Sequence, residues 1–322
     1  MHAVSPVSGA CQCVATVLNL FFALGVWIAE MKKIRKAVLP VAGLGTRVLP
    51  ATKAIPKEML PIVDRPVIEY VVAEALEAGI EHIVFVTGRG KGVIEDHFDR
   101  AYELEAILQQ NNKQDILHEL QQNLPMAGST SFVRQQAPLG LGHAIWCARD
   151  VIGDEPFAVL LPDVLIKAAT GCLAQMVEVY EKTGGNIIAV DEVPAADVDK
   201  YGMIDPVSQQ GNLYQIRAMV EKPAIGSAPS RLKITGRYIL QPELFGLLQN
   251  QQTGAGGEIQ LTDAMARLMQ TQDFHALQYQ GTDFDCGNKP GYLRAIAHFA
   301  LAHPELGEAA KHIFEQALDQ AK

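Results

Sequence analysis

The stretch Ile34–Pro61 reads IRKAVLPVAGLGTRVLPATKAIPKEMLP, a short apolar run followed by a glycine-rich turn and a basic loop. Its first part, Ala37–Ala42, has the length and β-branched content of a buried strand, and we predict a strand there. Gly43 and Gly45 come next; glycines allow positive φ and bring backbone N–H groups close to an anion. The sequence therefore predicts an anion-binding loop at the end of a buried strand.

The charge of this stretch is opposite to that of the whole chain. Residues 32–65 contain eight Lys/Arg and two Asp/Glu, a local balance of +6, whereas the 322-residue chain carries a formal net charge of −9. Arg47, Lys53 and Lys57 lie within one loop, which three prolines stiffen. A basic, glycine-bearing loop at a strand end in an acidic protein indicates a site for a multiply charged phosphate.

Two common phosphate-binding patterns do not fit this loop. The Walker pattern G-x-x-x-x-G-K-[ST] is not found in it. The dinucleotide pattern G-x-G-x-x-G requires a third glycine at the position that Val48 occupies. The loop is therefore of another kind, or else merely a turn rich in glycine and proline.

The loop does match the pattern G-x-G-T-R-x-L-P followed by P-K-E-M-L-P, at residues 43–50 and 56–61. In this it resembles the sugar-1-phosphate nucleotidyltransferases, and the longer PATKAIPKEMLP resembles their bacterial UTP–glucose-1-phosphate uridylyltransferase branch. The resemblance extends from Met31 to about Phe299, with six motifs in order. It implies an α/β, Rossmann-like nucleotidyltransferase fold, with a mostly parallel, mixed central sheet and helices on both faces.

Length and composition are those of a globular enzyme. The hydrophobic share of 48% is ample for a core, and the pI of about 5.5, without a basic helix or patch, argues against nucleic-acid binding. Five cysteines, an odd number without zinc spacing, predict a reducing, cytoplasmic location.

Residues 1–30 differ from the rest. The nearly continuous apolar run Cys13–Ala29 has about 17 residues, the short limit for a membrane span. The Lys/Arg residues that should precede a secretory apolar run follow it instead. We favour a non-native extension from a misplaced start codon, with Met31 as the natural start, over an inward-facing membrane anchor. Residues 31–322 are then a single nucleotidyltransferase domain with C-terminal helices, and membrane association is not expected.

Apolar spacing beyond the loop predicts a βαβ unit. Pro66–Gly79 shows one helical apolar face, and His82–Thr87 reads as a strand, which together imply a parallel sheet. The basic segment Gly88–Gly92 is either a second phosphate contact or an ordinary turn. Ala101–Leu124 is predicted to be a helical insert, which the resemblance leads us to expect in the uridylyltransferase branch and which could serve subunit contact.

The segment RQQAPLGLGHA, residues 134–144, is predicted to bind the base. A glutamine amide pairs with both a donor and an acceptor on a uracil edge, and glycines admit the base closely. A generic strand-to-helix turn is the alternative, and His143 is interpreted as structural. The nucleotide-binding residues that the resemblance implies are Ala42, Gly43, Gly45, Thr46, Gln135 and Gly140.

Two aspartates are candidate metal ligands. Asp163 directly follows the apolar run FAVLLP, where open α/β sheets bind ligands, although an aspartate in a turn is more commonly a helix cap. Mg²⁺ is normally held by one or two carboxylates plus phosphate oxygens. The L-P-D-V and D-C-G resemblances imply that Asp163 and Asp285 are those two ligands.

Three motifs are predicted to form the sugar side. By resemblance, Gly202 offers its backbone to a hexose hydroxyl, Glu221 accepts from hexose hydroxyls, and Lys222 pairs with the sugar phosphate. An exposed charge pair is the alternative for Glu221 and Lys222. The motif GEIQLTD implies that Glu258 lies in the sugar pocket, and its Thr262 and Asp263 are also predicted to cap a helix.

One more glycine lies in a predicted strand, Thr235–Leu240. Gly236 marks a place where a ligand could approach closely.

Taken together, the resemblance implies the reaction UTP + α-D-glucose 1-phosphate → UDP-glucose + diphosphate, with Mg²⁺ as cofactor. The sugar phosphate attacks the α-phosphorus in line; Arg47 holds the β- and γ-phosphates, Lys57 the α-phosphate, and Lys222 neutralises the incoming phosphate. The alternatives are a related transferase that uses dTTP and a weakly active regulatory homologue. The expected assembly is a homodimer or homotetramer.

Overall fold

A nine-stranded sheet runs through the computed structural model, which describes residues 31–122, 124–250, 254 and 257–321. Its elements belong to one unit, Lys33–Lys322. The prediction that residues 1–30 are an extension lies outside the described residues. Within the described part of the chain, no helix has the length and apolarity needed to cross a membrane.

The described strands are numbered in chain order: β1 (Lys36–Pro40), β2 (Pro61–Ile62), β3 (Arg65–Pro66), β4 (His82–Thr87), β5 (Thr130–Arg134), β6 (Phe157–Leu160), β7 (Val164–Lys167), β8 (Asn186–Glu192), β9 (Gly202–Gln210), β10 (Leu213–Glu221), β11 (Leu232–Leu240), β12 (Phe274–Gln278) and β13 (Thr282–Asp285).

The described α-helices are α1 (Val67–Glu77), α2 (Gly92–Phe98), α3 (Tyr102–Gln110), α4 (Gln114–Gln122), α5 (Leu141–Cys147), α6 (Arg149–Ile152), α7 (Cys172–Thr183), α8 (Leu244–Gln249), α9 (Leu261–Leu268), α10 (Lys289–Leu301) and α11 (Gly307–Gln320). Short 3-10 turns cover Thr46–Val48, Ala51–Lys53, Lys57–Met59 and Ala195–Lys200.

The strand order is β5-β4-β1-β6-β11-β8-β12-β10-β9. Strands β5, β4, β1 and β6 are mutually parallel, as are β8 and β12, whereas β11, β10 and β9 pair antiparallel with their neighbours. The predicted α/β class and mixed sheet are confirmed. The parallel share is smaller than expected, because β11 inserts antiparallel between β6 and β8 and the β9–β10 hairpin closes one edge.

Helices cover both faces of this sheet, as predicted. Successive residues of β1 alternate between two apolar cores: Ala37 and Leu39 face the one beneath α1 and α7, and Val38 faces the one beneath α5 and α9. Alternation of this kind follows from the two-residue period of a strand. A strand that is apolar on both faces therefore lies in the middle of three layers.

Two predicted helical segments are each broken in the structure. The insert forms α3 and α4, because Asn112 adopts a φ of +56° between them, a conformation that asparagine tolerates better than most residues. The C-terminal segment forms α10 and α11 on either side of a turn that contains Pro304.

The parallel strands β1, β4, β5 and β6 all point their carboxyl ends to one edge of the sheet. A small antiparallel pair, β7 with β13, lies next to this edge and aligns Asp285 with Val164. The two predicted metal ligands, which are far apart in sequence, are thereby brought side by side.

Candidate active site

The glycine-rich loop leaves β1 and turns over the carboxyl edge of the sheet. Gly45 adopts a φ of +66°, a conformation that favours glycine, and its carbonyl oxygen accepts a hydrogen bond of 2.8 Å from the Thr52 hydroxyl. Gly43 and Thr46 are exposed on the same turn, and Ala42 is half-buried at its base. The loop is thus closed on itself and presents backbone outward, as an anion-binding loop must.

Lys57 and Asp163 form the centre of the site. The Lys57 ammonium donates to Asp163 Oδ2 over 2.5 Å, and Arg47 Nη2 lies 3.8 Å from the same oxygen. Burial alone would lower the pKa of Lys57, but Asp163 and then Glu58 outweigh it and raise that pKa. Burial alone would raise the pKa of Asp163, yet Lys57 lowers it. Both groups are therefore ionised at neutral pH.

Asp285 faces the same point from the other side. A Cβ added to Gly287 would lie 2.6 Å from Asp163 Oδ2 and 2.9 Å from Asp285 Oδ1. It would also lie 2.8 Å from Arg47 Nη2. A side chain at Gly287 would therefore clash with both carboxylates and the guanidinium, so a glycine at this position lets the three groups converge.

The two carboxylates suit an ion that takes only part of its coordination from protein. Among the described residues no group of three or more His, Cys, Asp or Glu side chains could hold a metal. Two carboxylates completed by phosphate oxygens and water are the usual arrangement for Mg²⁺. The donor set fits that ion better than a structural metal, which requires a full set of protein ligands.

Asn288 orients Asp285 and was not predicted. Its side-chain amide donates to Asp285 Oδ2 over 2.8 Å, while its Oδ1 accepts from Gly291 N at the start of α10. The local signal was present, because an asparagine two residues before Pro290 is a typical helix start. The backbone adds a further tie, since Cys286 N donates to the carbonyl oxygen of Asp163 over 2.7 Å.

The second basic loop, residues 88–92, packs against the phosphate loop. Lys91 is buried and donates to Glu58 Oε2 over 2.8 Å, and burial raises the pKa of that carboxyl group. A Cβ added to Gly88 would lie 3.3 Å from the carbonyl oxygen of Ala42. The Lys91 ammonium is therefore used inside the protein, next to Lys57, and a direct phosphate contact from it is not supported.

The predicted base-binding residues meet at the start of α5. The Gln135 side-chain amide donates to Gly140 O over 3.0 Å and lies 3.1 Å from His143 Nδ1. Burial lowers the pKa of His143, which favours the neutral ring, whose Nδ1 can accept a hydrogen bond in this contact. The amide nitrogen of Gln135 is thus occupied within the protein, and its carbonyl oxygen is the group oriented for other partners.

Glu258 lies against this same segment. Gly140 has a φ of +101°, and a Cβ added to it would lie 2.7 Å from Glu258 Cβ. Leu139 O accepts from Ile259 N over 2.7 Å, which fixes the contact. The structure thus brings Glu258 to the residue predicted at the uracil, and its predicted place in the sugar pocket remains a prediction.

Gly202 and Glu221 are directly paired across the β9–β10 hairpin. A Cβ on Gly202 would lie 3.1 Å from Glu221 Oε2, and that oxygen accepts a hydrogen bond of 2.8 Å from the Thr262 hydroxyl. The prediction that Thr262 and Asp263 cap a helix was wrong: α9 begins after Gln260, so both residues lie inside its first turn. Thr262 instead orients Glu221.

Lys222 has an unusual backbone. Its φ is +47°, and its N–H donates to Tyr201 O over 3.1 Å. A left-handed conformation costs a residue with a side chain about 1–2 kcal/mol, and such strain tends to persist at functional sites. The side chain is exposed, with Nζ 3.6 Å from Glu221 Oε1.

The space predicted beside Gly236 is not available. A Cβ there would lie 2.9 Å from the Leu161 side chain, so the glycine admits a core residue rather than a ligand. A cleft of about 750 Å³ is lined by Arg47 and Asp285 together with Tyr201 and Lys233. The predicted sugar residues are not among those that line it.

A mixed sheet with a basic glycine loop, two carboxylates and an adjoining polar cleft defines a transferase of nucleotidyl groups. The sequence profile of the family described as nucleotidyl transferase matches residues 36–300, and the chain belongs to this family.

The names of individual relatives specify an activity within this family. The UTP–glucose-1-phosphate uridylyltransferase of Bacillus subtilis (strain 168) is 50% identical over 290 residues, 90% of this chain and 99% of the relative. A UTP-bound UGPase from Acinetobacter baumannii is 49% identical with a TM-score of 0.81, covering 87% of this chain and 98% of that one. A UDP-glucose pyrophosphorylase complexed with UDP-glucose is 42% identical with a TM-score of 0.77, covering 83% and 98%. The resemblance to the uridylyltransferase branch is confirmed.

Proposed function

We propose that the chain transfers a uridylyl group: UTP + α-D-glucose 1-phosphate → UDP-glucose + diphosphate. The observation that carries the proposal is the meeting of Lys57, Arg47 and two aspartates around Gly287. Relatives named for this reaction, at about half identity over nearly their full length, support the choice of UTP and glucose 1-phosphate.

Catalysis in this site is positioning and charge neutralisation. An oxygen of the sugar phosphate attacks the α-phosphorus of UTP in line, and the bond to the bridging oxygen breaks as diphosphate leaves. No side-chain nucleophile is needed, since the attacking phosphate is already an anion. Lys57 stabilises charge at the α-phosphate, and the exposed Arg47 reaches the β- and γ-phosphates.

Asp163 and Asp285 are the proposed holders of Mg²⁺. When bound, the ion would neutralise phosphate charge. Support comes from the convergence of both carboxylates at Gly287. Backbone groups of Ala42, Gly43, Gly45 and Thr46 would bind the remaining phosphate oxygens.

The sugar and the base meet at Glu258 in this proposal, because Glu258 lies against Gly140. Lys222 pairs with the sugar phosphate, while Glu221, Gly202 and Glu258 bind the hexose. Gln135 accepts a hydrogen bond from the uracil N3–H, because its amide nitrogen already donates to Gly140 O.

The proposal includes a cytoplasmic homodimer or homotetramer. Cys147, Cys172 and Cys286 carry free thiols, which suits a reducing compartment. The insert exposes Leu104, Ile107 and Ile116, which would suit a subunit contact.

The test is diphosphate release by the full chain, given Mg²⁺, glucose 1-phosphate and UTP, dTTP, GTP or ATP in separate reactions. We expect release with UTP, dependent on both glucose 1-phosphate and Mg²⁺. A preference for dTTP would place the chain with the thymidylyltransferases. Folded protein that is silent with all four nucleotides would instead support a regulatory homologue.

A further inference from the structure

Arg237 is a fully buried charged side chain in the middle of the sheet. It lies on β11 opposite Leu160 of β6, the last residue of the strand that leads to Asp163. A buried guanidinium is expensive to desolvate and is retained where its donors are all used. The groups that accept hydrogen bonds from Arg237 therefore indicate its role.

All five N–H donors of Arg237 have an acceptor. Nε and one N–H of Nη2 donate to the Glu74 carboxylate at 3.0 and 2.8 Å. The second N–H of Nη2 donates to Val164 O over 2.8 Å. The two on Nη1 donate to Leu161 O at 3.1 Å and Gly236 O at 3.3 Å. One guanidinium thus binds the backbone on both sides of Asp163.

Glu74 anchors the guanidinium from the opposite layer. It lies on α1, the helix that follows the phosphate loop, and its Oε1 also accepts from Leu173 N at the start of α7. The pair therefore connects two helices, the sheet and the turn at 161–164 through fixed hydrogen bonds.

We propose that Arg237, held by Glu74, is a positioning residue for Asp163. Backbone hydrogen bonds also hold the turn, from Leu161 N to Gly236 O, from Val164 N to Leu161 O and from Cys286 N to Asp163 O. Arg237 adds the side-chain bonds that hold the carbonyl groups on both sides of Asp163. The inference rests on the proposed function for the role of Asp163, whereas the geometry of the turn stands independently of it. Supporting groups of this kind typically change metal affinity or activity by about 10- to 100-fold.

The decisive variant is Arg237→Lys, which keeps the charge but has three donors instead of five and no planar fork. Glu74→Gln is the second variant, because it leaves the guanidinium in place but weakens its anchor. Asn186→Ala is the matched control. Asn186 is fully buried and hydrogen-bonded at the first residue of β8, at the end of the sheet away from the turn. The variant should therefore lose stability without changing a contact of the turn.

The first readout is hydrogen exchange of the full chain without substrates, compared at equal distance below each variant's melting temperature. We expect the amides of residues 161, 163–166 and 286 to exchange about tenfold faster in Arg237→Lys and less so in Glu74→Gln. In Asn186→Ala these amides should exchange as in the wild type. Equal exchange in Arg237→Lys and the control would overturn the proposal.

The second readout is the Mg²⁺ dependence of turnover. We expect kcat to fall about 10- to 100-fold in Arg237→Lys and the Mg²⁺ concentration for half-maximal rate to rise, with KM for glucose 1-phosphate nearly unchanged. A purely structural role would lower only the active fraction, as in Asn186→Ala. Should Arg237→Lys fail to fold, Glu74→Gln decides by the same comparison. A wild type without transferase activity would refute the proposed function, while the exchange experiment would still decide the positioning role.

Discussion

The proposed phosphate side and the proposed sugar side of the site are built in different ways. Residues 43–57 supply most of the proposed phosphate side from one continuous loop at the carboxyl edge of parallel strands. On the proposed sugar side, Gly202 and Glu221 come from the two strands of an antiparallel hairpin, and Thr262 comes from a helix much further along the chain. A phosphate needs many donors at one place, whereas a hexose needs single groups at several places.

The lysines of the two sides, Lys57 and Lys222, also differ in their exposure to solvent. The Lys57 side chain is 16% exposed and paired with Asp163, whereas that of Lys222 is 59% exposed. Charge interactions in a buried, preorganised setting are much stronger than those in water. We therefore expect the largest losses of activity on the phosphate side.

Lys57→Ala and Asp163→Ala should each lower kcat by about 10²–10³, because the first removes the preorganised charge at the α-phosphate and the second removes a proposed Mg²⁺ ligand. Diphosphate release at saturating UTP and glucose 1-phosphate measures this, with circular dichroism to verify the fold. Lys33→Ala, which changes an exposed lysine that pairs with Glu81, is the control and should retain nearly full activity. Turnover close to wild type in both active-site variants would contradict the assignment of this loop to phosphate binding.

Lys222→Ala should raise KM for glucose 1-phosphate by about 10- to 30-fold, a smaller effect because the side chain is half in water. The KM for UTP should change little, and initial rates over a matrix of both substrates separate the two constants. Lys311→Ala is the control, because Lys311 is an exposed lysine on α11. If KM for UTP rose instead, the phosphate and sugar sides would not be separate as described.

Gln135→Ala should raise KM for UTP about tenfold, the loss expected for one good hydrogen bond to the base. Discrimination against CTP should weaken as well, since cytosine presents an acceptor at N3 where uracil presents a donor. Competition between the two nucleotides measures this. The neighbouring exposed Gln136→Ala should leave selectivity unchanged, and a strict preference for UTP in Gln135→Ala would refute the role of the amide.

Thr262→Val should raise KM for glucose 1-phosphate about fivefold, because Glu221 loses the hydroxyl that orients it while the side-chain volume is kept. Thr271→Val is the matched control, since its hydroxyl donates only to Leu268 O just after the same helix. Identical constants for the two variants would show that Glu221 does not depend on Thr262.

The sequence was most informative where structure and function share one continuous segment. The strand His82–Thr87 was predicted to the residue, and Arg47, Lys57 and Asp163 were selected before the structure placed them together. These positions have local causes: alternating apolar residues, glycines that permit a turn, and charges that do not occur in a core.

The residues that orient the site from a distance, such as Arg237 and Thr262, show no such local signal in the sequence. Glu74 and Arg237 are 163 residues apart, and each looks like an ordinary charge on a helix or a strand until the sheet order is known. Thr262 fitted a helix cap equally well, and only the position of Glu221 across the site distinguishes the two roles. Even the parallel share of the sheet was overestimated, because nothing local shows that β11 enters between β6 and β8.

The late entry of β11 has a consequence for the order in which the protein is made. Val164 leaves the ribosome 73 residues before the guanidinium that binds its carbonyl oxygen. Until β11 is synthesised and inserted, the turn with Asp163 lacks both hydrogen bonds from Arg237, those to Leu161 O and Val164 O. The whole phosphate loop has already been synthesised by then. A nascent or prematurely terminated chain therefore carries the recognisable motif without a finished site, and the capacity to handle a nucleoside triphosphate arrives only with the complete sheet.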